Sequence, residues 1–278
     1  QVVENPEGLS VRLCNRRKGI GADSLVMVSL SDKADAAMRI FNQDGSEGKM
    51  AGNAIRCVAK YLFDNNVNGI ADMIKKADEH SANMTIETEA GVKYLTLYMQ
   101  NGKVSSVKVD MGKPEFTPAN IPTRIPMPEG KDAIVNVPVN VEGIDYSATV
   151  LAVGNPHCVV FSGFVDKIDV ARIGPLFENH RAFPSRVNAE FVRVVGRNEL
   201  KVRTWERGNG ETPACGTGAC AAVAASVRLG KCSDSVPVTV NLRGGELQII
   251  CYPDFSLEMK GSAETVFEGV VCIPDELF

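Results

Sequence analysis

The sequence predicts an α+β protein with two sheet-rich halves, each wrapped around one apolar helix. The first observation is the order of elements: strand-like segments, one helix and further strand-like segments follow each other twice along the 278 residues. The second is a short ungapped repeat. FNQDGSEGKMAG at 41–52 aligns with WERGNGETPACG at 205–216, and each copy opens on an aromatic residue and leads into a helix. With 44% hydrophobic residues, the chain can bury a large core.

The first half places strands on both sides of its helix. A helix is predicted at 52–66 because Ile55, Val58, Ala59 and Leu62 form one apolar stripe. Alternating and β-branched segments predict strands at 24–30, 37–42, 84–89, 93–99 and 104–111, and a short surface helix is expected at 71–79. The proline-rich segment 114–128 has no periodicity and is the best candidate for a crossing between domains.

The second half repeats this organisation around a helix of small apolar residues at 219–229, which is expected to begin just after Cys215. This helix has almost no polar face, which is typical of a helix surrounded by protein. Helical stretches are predicted at 165–178, broken at Gly174-Pro175. Strands are predicted at 133–139, 146–153, 158–161, 190–195, 200–205, 236–242, 246–252, 257–260 and 266–273.

Composition limits the function classes. A net charge of -4 without a basic cluster argues against nucleic acid as a partner. No apolar run approaches the ~20 residues of a membrane span and no signal peptide is recognised, so we expect a cytoplasmic enzyme. The eight cysteines are scattered and only three histidines occur, which favours reduced thiols over zinc or disulfides. The glycine turn at 19–24 lacks a third glycine and precedes a strand, so no nucleotide site is expected.

Cys215 is the main candidate for chemistry. The free amides and partial positive charge of a helix N-terminus favour an anion, so we expect its thiol to ionise more easily than a free cysteine. The same amides could hold a substrate carboxylate. The alternative is a small buried cysteine that merely fits beside glycines. The repeat aligns Ala51 with Cys215, so one half carries a methyl group where the other carries a thiol.

Four segments resemble the signature segments of diaminopimelate epimerase, in the same order and over almost the whole chain: FNQDGSEGKMAGNAIRCVAKYL, VGNPHCVVF, VNAEFVRVV and WERGNGETPACGTGACAAV. The resemblance implies two pseudo-symmetric domains, 1–115 with 264–278 and 116–263, each a mostly antiparallel, barrel-like sheet around a central helix. It implies a homodimer that uses no cofactor and interconverts L,L- and meso-diaminopimelate for lysine and peptidoglycan synthesis. The resemblance also implies that an N-terminal strand and a substrate-contacting asparagine precede Gln1.

The family's mechanism assigns roles to matching positions. Two cysteines at opposed helix N-termini, one thiolate and one thiol, invert the α-carbon without pyridoxal phosphate. The implied site residues are the amides of Gly52, Asn53, Gly216 and Thr217 for the reacting carboxylate, Arg207 for the distal carboxylate, Glu206 for the distal ammonium, and Asn42, Asn155 and Asn188 for neutral hydrogen bonds. His157 and Glu206 are implied to tune the ionisation of the cysteines. Without the resemblance, His157 reads as a turn histidine and Glu206-Arg207 as a solvated surface pair.

Two departures from the family pattern bear on activity. Ser24 replaces a substrate-contacting glutamine, which weakens one contact. Ala51 replaces the first catalytic cysteine, and a methyl group can neither take nor give a proton. Cys57 is a poor substitute because it lies more than a turn into the helix. We therefore predict a strongly impaired epimerase.

Three alternatives stay open at this stage. The first is a protein that binds diaminopimelate without turning it over, which is the reading that Ala51 favours. The second is a racemase for another amino acid, although a substrate without a distal carboxylate would not need Arg207. The third is a phenazine-biosynthesis-like isomerase, against which the retained Cys215 motif argues.

Overall fold

The computed structural model describes residues 3–74 and 76–273. The chain divides into two compact units: unit 1 runs to Val109 and resumes at Ser262, and unit 2 spans Asp110–Gly261. Each unit combines a sheet with few helices, so the predicted α+β class is confirmed. The predicted boundaries, 1–115 with 264–278 and 116–263, stay a prediction about independently folding domains. No helix among the described residues is long and apolar enough to cross a membrane.

Unit 1 is built on a five-stranded sheet. Its elements are α1 (Pro6–Leu13), β1 (Ser24–Ser29), β2 (Ala36–Asn42), β3 (Glu47–Gly48), α2 (Gly52–Asp64), α3 (Ile70–Met73), β4 (Lys76–Asp78), β5 (Ser81–Thr88), β6 (Gly91–Gln100) and β7 (Lys103–Gly112). The strand order is β1-β2-β5-β6-β7, with β3 on β2 and β4 on β5. Among the described strands of this unit, β2 and β5 pair in parallel and the other pairs are antiparallel.

Helix α2 supplies the core of unit 1. The predicted stripe of Ile55, Val58, Ala59 and Leu62 is buried, which confirms the helical pattern. The helix packs on β1, β2, β5 and β6. It follows Ala51, whose backbone is extended and whose side chain makes no capping hydrogen bond. The chain therefore enters this helix without the polar cap that most helices have.

Unit 2 repeats the arrangement with a longer sheet. Its elements are β8 (Ile134–Val141), β9 (Ile144–Ala152), β10 (Pro156–Phe161), α4 (Val170–Glu178), β11 (Asn188–Gly196), β12 (Glu199–Glu206), β13 (Gly210–Thr212), α5 (Gly216–Arg228), β14 (Val238–Leu242), β15 (Gly245–Cys251) and β16 (Leu257–Ser262). The strand order is β16-β15-β14-β12-β11-β10-β9-β8, with β13 on β12. The pairs β10–β11 and β12–β14 are parallel, and the others in this unit are antiparallel.

Helix α5 runs through the interior of unit 2 and begins immediately after Cys215, as predicted. Every residue from Gly218 to Ser226 is buried, and the helix packs on β9, β10, β11, β12 and β15. Its small side chains let the surrounding strands approach its backbone closely. Position 215 is therefore fixed by a helix that the sheet holds on all sides.

The structure corrects three expectations about helices. Helix α1 was missed, although Asn5 caps it through a 2.8 Å bond from the Gly8 amide and Pro6 occupies its first position. Helix α4 is not broken at Gly174-Pro175, because burial of Ile173 and Phe177 offsets the hydrogen bond that proline removes. The helix expected at 71–79 was wrong over most of its length, since α3 ends at Met73 and β4 begins at Lys76.

The strand predicted at 266–273 is also absent: these residues carry no regular secondary structure. Their apolar side chains are exposed, with Val266 at 90% and Val270 at 101% of full accessibility. A strand needs the backbone of a partner strand, and a local apolar pattern does not reveal whether one is available.

Candidate active site

Cys215 forms the N-cap of α5. Its sulfur accepts a hydrogen bond from the Gly218 amide at 3.3 Å and lies 3.5 Å from the hydroxyl of Thr217. Only 6% of the residue is exposed. The amides of Gly216 and Thr217 precede the first intrahelical bond, which the Ala219 amide makes to the Cys215 carbonyl at 3.0 Å. The sulfur thus lies beside two amides suited to binding an anion.

His157 lies at the start of β10 between two oxygen atoms. Its Nδ1 is 2.8 Å from Oε1 of Glu190, and its Nε2 is 2.9 Å from Oδ1 of Asn155. The His157 and Glu190 side chains are both fully buried. The two contacts hold the ring from both sides. The orientation of His157 is therefore fixed by β11 and by the turn before β10.

Glu206 ends β12, and its Oε1 accepts a hydrogen bond from the hydroxyl of Thr212. Burial raises the pKa of Glu206, and the Glu190 carboxylate adds to that effect. Hydrogen bonds from Thr212 and from the Cys215 thiol act in the opposite direction on this pKa. The carboxylate is thus close enough to the thiol for each to influence the other's ionisation.

The ionisation of Cys215 differs from the expectation. Burial, followed by the carboxylates of Glu206 and Glu190, raises the pKa of this thiol well above its ordinary value. Hydrogen bonds from Thr217 and Gly218 oppose the rise but do not cancel it. The expectation of easier ionisation rested on the helix N-terminus, and although Glu206 was implied to tune the cysteines, neither desolvation nor Glu190 was considered. Cys215 is therefore harder to ionise than the helix N-terminus alone would make it.

Asn188 and Arg207 lie side by side. Oδ1 of Asn188 accepts from the Arg207 amide at 2.8 Å, and its Nδ2 donates to the Pro156 carbonyl at 3.2 Å. The Arg207 side chain is half-buried and donates through Nη1 to the Ser185 carbonyl at 2.9 Å. A guanidinium with five N–H donors keeps several of them for a carboxylate partner.

The remaining predicted residues lie in unit 1. Ala51 precedes α2, followed by Gly52 and Asn53 in its first turn. Arg56 donates to the Gly52 carbonyl and to Oδ1 of Asn53, both at 3.1 Å. Two further predicted residues, Ser24 and Asn42, face each other across β1 and β2, and Nδ2 of Asn42 donates to the Ser46 hydroxyl at 3.0 Å. Cys57 is exposed on the flank of α2, away from its N-terminus.

Unit 2 thus brings together most of the predicted residues: Asn155, His157, Asn188, Glu206, Arg207, Cys215, Gly216 and Thr217. Sequence reasoning missed Glu190 and Thr212. A signal for Glu190 was present, since it is an acid within the apolar run AEFVRVV of a strand. No group of three or more His, Cys, Asp or Glu side chains in the described residues could hold a metal ion.

Solved structures with this fold include racemases and phenazine-biosynthesis proteins. A probable proline racemase from Agrobacterium radiobacter has a TM-score of 0.68 at 17% identity, with 97% of this chain and 82% of that chain covered. A phenazine biosynthesis protein of the PhzF family from Bacillus anthracis has a TM-score of 0.62 at 16% identity, with 95% and 88% covered. The fold is therefore the one shared by these racemases and PhzF-type proteins.

Sequence comparison narrows this class to one family. The diaminopimelate epimerase family model matches residues 1–117 and 149–266. A diaminopimelate epimerase from Agathobacter rectalis is 43% identical over 98% of this chain and 92% of its own length. Another from Acetivibrio thermocellus is 44% identical over 98% and 91%. The chain belongs to the diaminopimelate epimerase family of isomerases.

Proposed function

We propose that this protein binds diaminopimelate and moves the proton of its α-carbon through Cys215, and that Ala51 impairs the full stereoinversion of L,L- to meso-diaminopimelate. The observation that carries the proposal is the placement of a buried thiol at the N-terminus of α5, bonded to the Gly218 amide and coupled to Glu206. Such a thiol can donate a proton to the substrate or accept one from it, and its burial keeps bulk water from competing for that proton.

The reacting carboxylate is proposed to bind the amides of Gly216 and Thr217, with Gly52 and Asn53 supplying the matching amides of unit 1. As the α-carbon loses its proton, negative charge moves onto this carboxylate. Backbone amides fixed at a helix N-terminus stabilise that charge without reorganising. Chain-derived dipoles therefore supply the stabilisation, and no cofactor enters the proposed reaction.

Substrate binding also offers a route to the Cys215 thiolate. The Glu206 carboxylate raises the pKa of Cys215 in the free protein. When the distal ammonium of the substrate pairs with Glu206, that opposing charge is compensated and the pKa of the thiol falls. The thiolate then forms only with substrate in place, and His157 holds the surrounding hydrogen bonds in register.

The other end of the substrate is proposed to bind Arg207, whose planar guanidinium matches a carboxylate. Asn42, Asn155 and Asn188 add neutral hydrogen bonds, and Ser24 makes a weaker contact than a longer amide side chain would. We further propose that the protein acts as a homodimer in the cytoplasm, as its resemblance to the family implies.

Ala51 determines how far the reaction proceeds. A positioned acid–base group typically contributes about 10²–10⁴-fold to rate, so replacing a thiol by a methyl group at one face costs a factor of this size. Proton exchange catalysed from the Cys215 face alone does not need the second group, because solvent can return a deuteron to that thiol.

The test is α-proton exchange in deuterated water with L,L- and meso-diaminopimelate separately, on this protein and on Ala51→Cys. We expect exchange with one stereoisomer in this protein and faster, two-sided exchange in Ala51→Cys. Absence of exchange in both proteins would overturn the proposal.

A protein that binds diaminopimelate without turnover is the second candidate, and Ala51 is the observation that favours it. Three results together would favour this binder over an impaired epimerase. Calorimetry would show that this protein binds diaminopimelate, the protein would exchange no α-proton, and Ala51→Cys would exchange it.

A further inference from the structure

Glu178, at the end of α4, is a buried acid of unit 2 that the proposed reaction does not use. The Trp205 indole N–H donates to its Oε2 at 2.6 Å, and the Gly208 amide and Nη1 of Arg186 both donate to its Oε1 at 2.9 Å. Only 8% of the Glu178 side chain is exposed. A carboxylate at a helix C-terminus opposes the helix dipole, so its burial there depends on these donors.

Two of the three donors flank the residues that are proposed to bind substrate. Trp205 and Gly208 enclose Glu206 and Arg207, and the Asn209 amide closes this turn on the Glu206 carbonyl at 3.0 Å. The carboxylate of Glu178 therefore ties both ends of one short turn to α4. Gly208 has a φ of +83°, a backbone conformation that this amide bond helps to hold.

The indole of Trp205 is fixed from a second side. A Cβ added at Gly174 would lie 2.4 Å from the indole ring, so the ring packs directly on the backbone of α4. One helix thus supplies both a glycine that admits the indole and an acid that binds its N–H. Together they leave the start of the turn little freedom.

The third donor connects Glu178 to the side chain of Arg207. Arg186 has a φ of +62°, which is unfavourable for a residue with a side chain, and its ion pair with Glu178 holds it there. The preceding residue, Ser185, provides the carbonyl that accepts from Arg207. Glu178 therefore fixes Arg207 twice, through its backbone turn and through the carbonyl on which its guanidinium rests.

We propose that Glu178 is a positioning residue for Arg207 and thereby sets the affinity of the site for the distal carboxylate of diaminopimelate. This inference rests on the proposed function, in which Arg207 binds that carboxylate. Glu178 itself touches no substrate. It orients the guanidinium of Arg207, which can form two parallel hydrogen bonds to the distal carboxylate only in the correct orientation.

The experiment measures Kd by calorimetry for meso-diaminopimelate and for L-lysine, which has both ammonium groups and lacks the distal carboxylate. Glu178→Gln keeps the size and shape of the side chain but replaces one carboxylate oxygen by an NH2 group, which cannot accept the hydrogen bonds that Glu178 receives. We expect it to weaken diaminopimelate binding about tenfold, the scale of one lost charge-assisted hydrogen bond, and to leave L-lysine binding unchanged. Trp205→Phe, which removes the indole N–H together with the five-membered ring that carries it, should also weaken diaminopimelate binding.

The matched control is Glu142→Gln, an equivalent change in an exposed acid that pairs with Arg172 of the same helix. It should alter neither Kd. Arg207→Gln separates the two proposals: if it leaves diaminopimelate binding intact, the proposed function fails. If Arg207→Gln weakens binding while Glu178→Gln and Trp205→Phe do not, the role of Glu178 is wrong. An equal loss for both ligands in Glu178→Gln would also overturn it, because that pattern indicates general damage to the fold.

Discussion

His157 and Glu190 meet in the interior of unit 2, with Nδ1 2.8 Å from Oε1 and neither side chain exposed. The second carboxylate oxygen of Glu190 has no hydrogen-bond partner among the described residues. The pair joins β10 to β11 directly behind the first turn of α5, where Oε1 lies 2.8 Å from the position that a Cβ at Gly218 would occupy. The buried contact between His157 and Glu190 thus packs against the first turn of α5, which carries Cys215 at its N-terminus.

Glu190→Ala should destabilise the protein by about 2–4 kcal/mol, because it leaves a buried imidazole N–H without its acceptor. Glu190→Gln retains an acceptor and should cost less. Denaturant unfolding of the two variants checks this order. Equal stability of Glu190→Ala and the parent protein would show that the contact does not support the fold.

Gly218→Ala should reduce diaminopimelate binding and exchange, because its methyl group would lie 2.8 Å from Glu190 and 3.3 Å from the Cys215 sulfur. One of these groups must move, and both belong to the site. The control is Gly163→Ala, where a Cβ has no atom within 4 Å. Binding and exchange assays on both variants make the comparison, and similar behaviour of the two would contradict the packing at Gly218.

Glu206→Gln should make Cys215 more reactive toward iodoacetamide. The Glu206 carboxylate raises the pKa of Cys215, so removing its charge lowers that pKa and shifts the pH dependence of alkylation to lower pH. Site-resolved mass spectrometry across pH measures the shift. Exposed Cys57 is the internal control, and its rate should stay the same. An upward shift would contradict the sign of the coupling.

Phe177→Ala should destabilise the protein by about 3–5 kcal/mol. Phe177 is fully buried in the hydrophobic core of unit 2 and makes edge-to-face contacts with Tyr146 and Phe191, at centroid distances of 5.2 Å and 5.5 Å. Phe164→Ala removes a ring that is 69% exposed and should cost far less. Guanidinium unfolding curves compare the two, and equal losses would argue against this core.

Local sequence was sufficient for the two helices that organise the units. The stripe of α2 and the small residues of α5 are encoded over consecutive turns, and the glycines after Cys215 mark where α5 begins. Helix α4 shows the limit of such reasoning: Gly174-Pro175 reads locally as a break. Only the packing of Phe177 and of the Trp205 indole explains why the helix continues.

The sequence nominated residues for the candidate site, but the electrostatic surroundings of Cys215 were visible only in the structure. Cys215 was singled out by its place at a helix N-terminus, and the resemblance added His157 and Glu206. Glu190 and Glu178 were not identified, because the contacts they make join elements that are distant in sequence. The ionisation of Cys215 was consequently misjudged. A helix N-terminus is visible in the string, but burial and neighbouring carboxylates exist only after folding.

The enclosure of α5 also affects how this protein can be altered. With every residue from Gly218 to Ser226 buried among strands, almost any larger side chain there must displace the sheet. Libraries that seek new substrates should therefore leave this helix constant and vary the turn after β12, where Arg207 is half-buried and Gly208 and Asn209 are exposed. Every variant would then keep the buried Cys215 thiol, and selection would act on the turn that is proposed to bind the distal carboxylate.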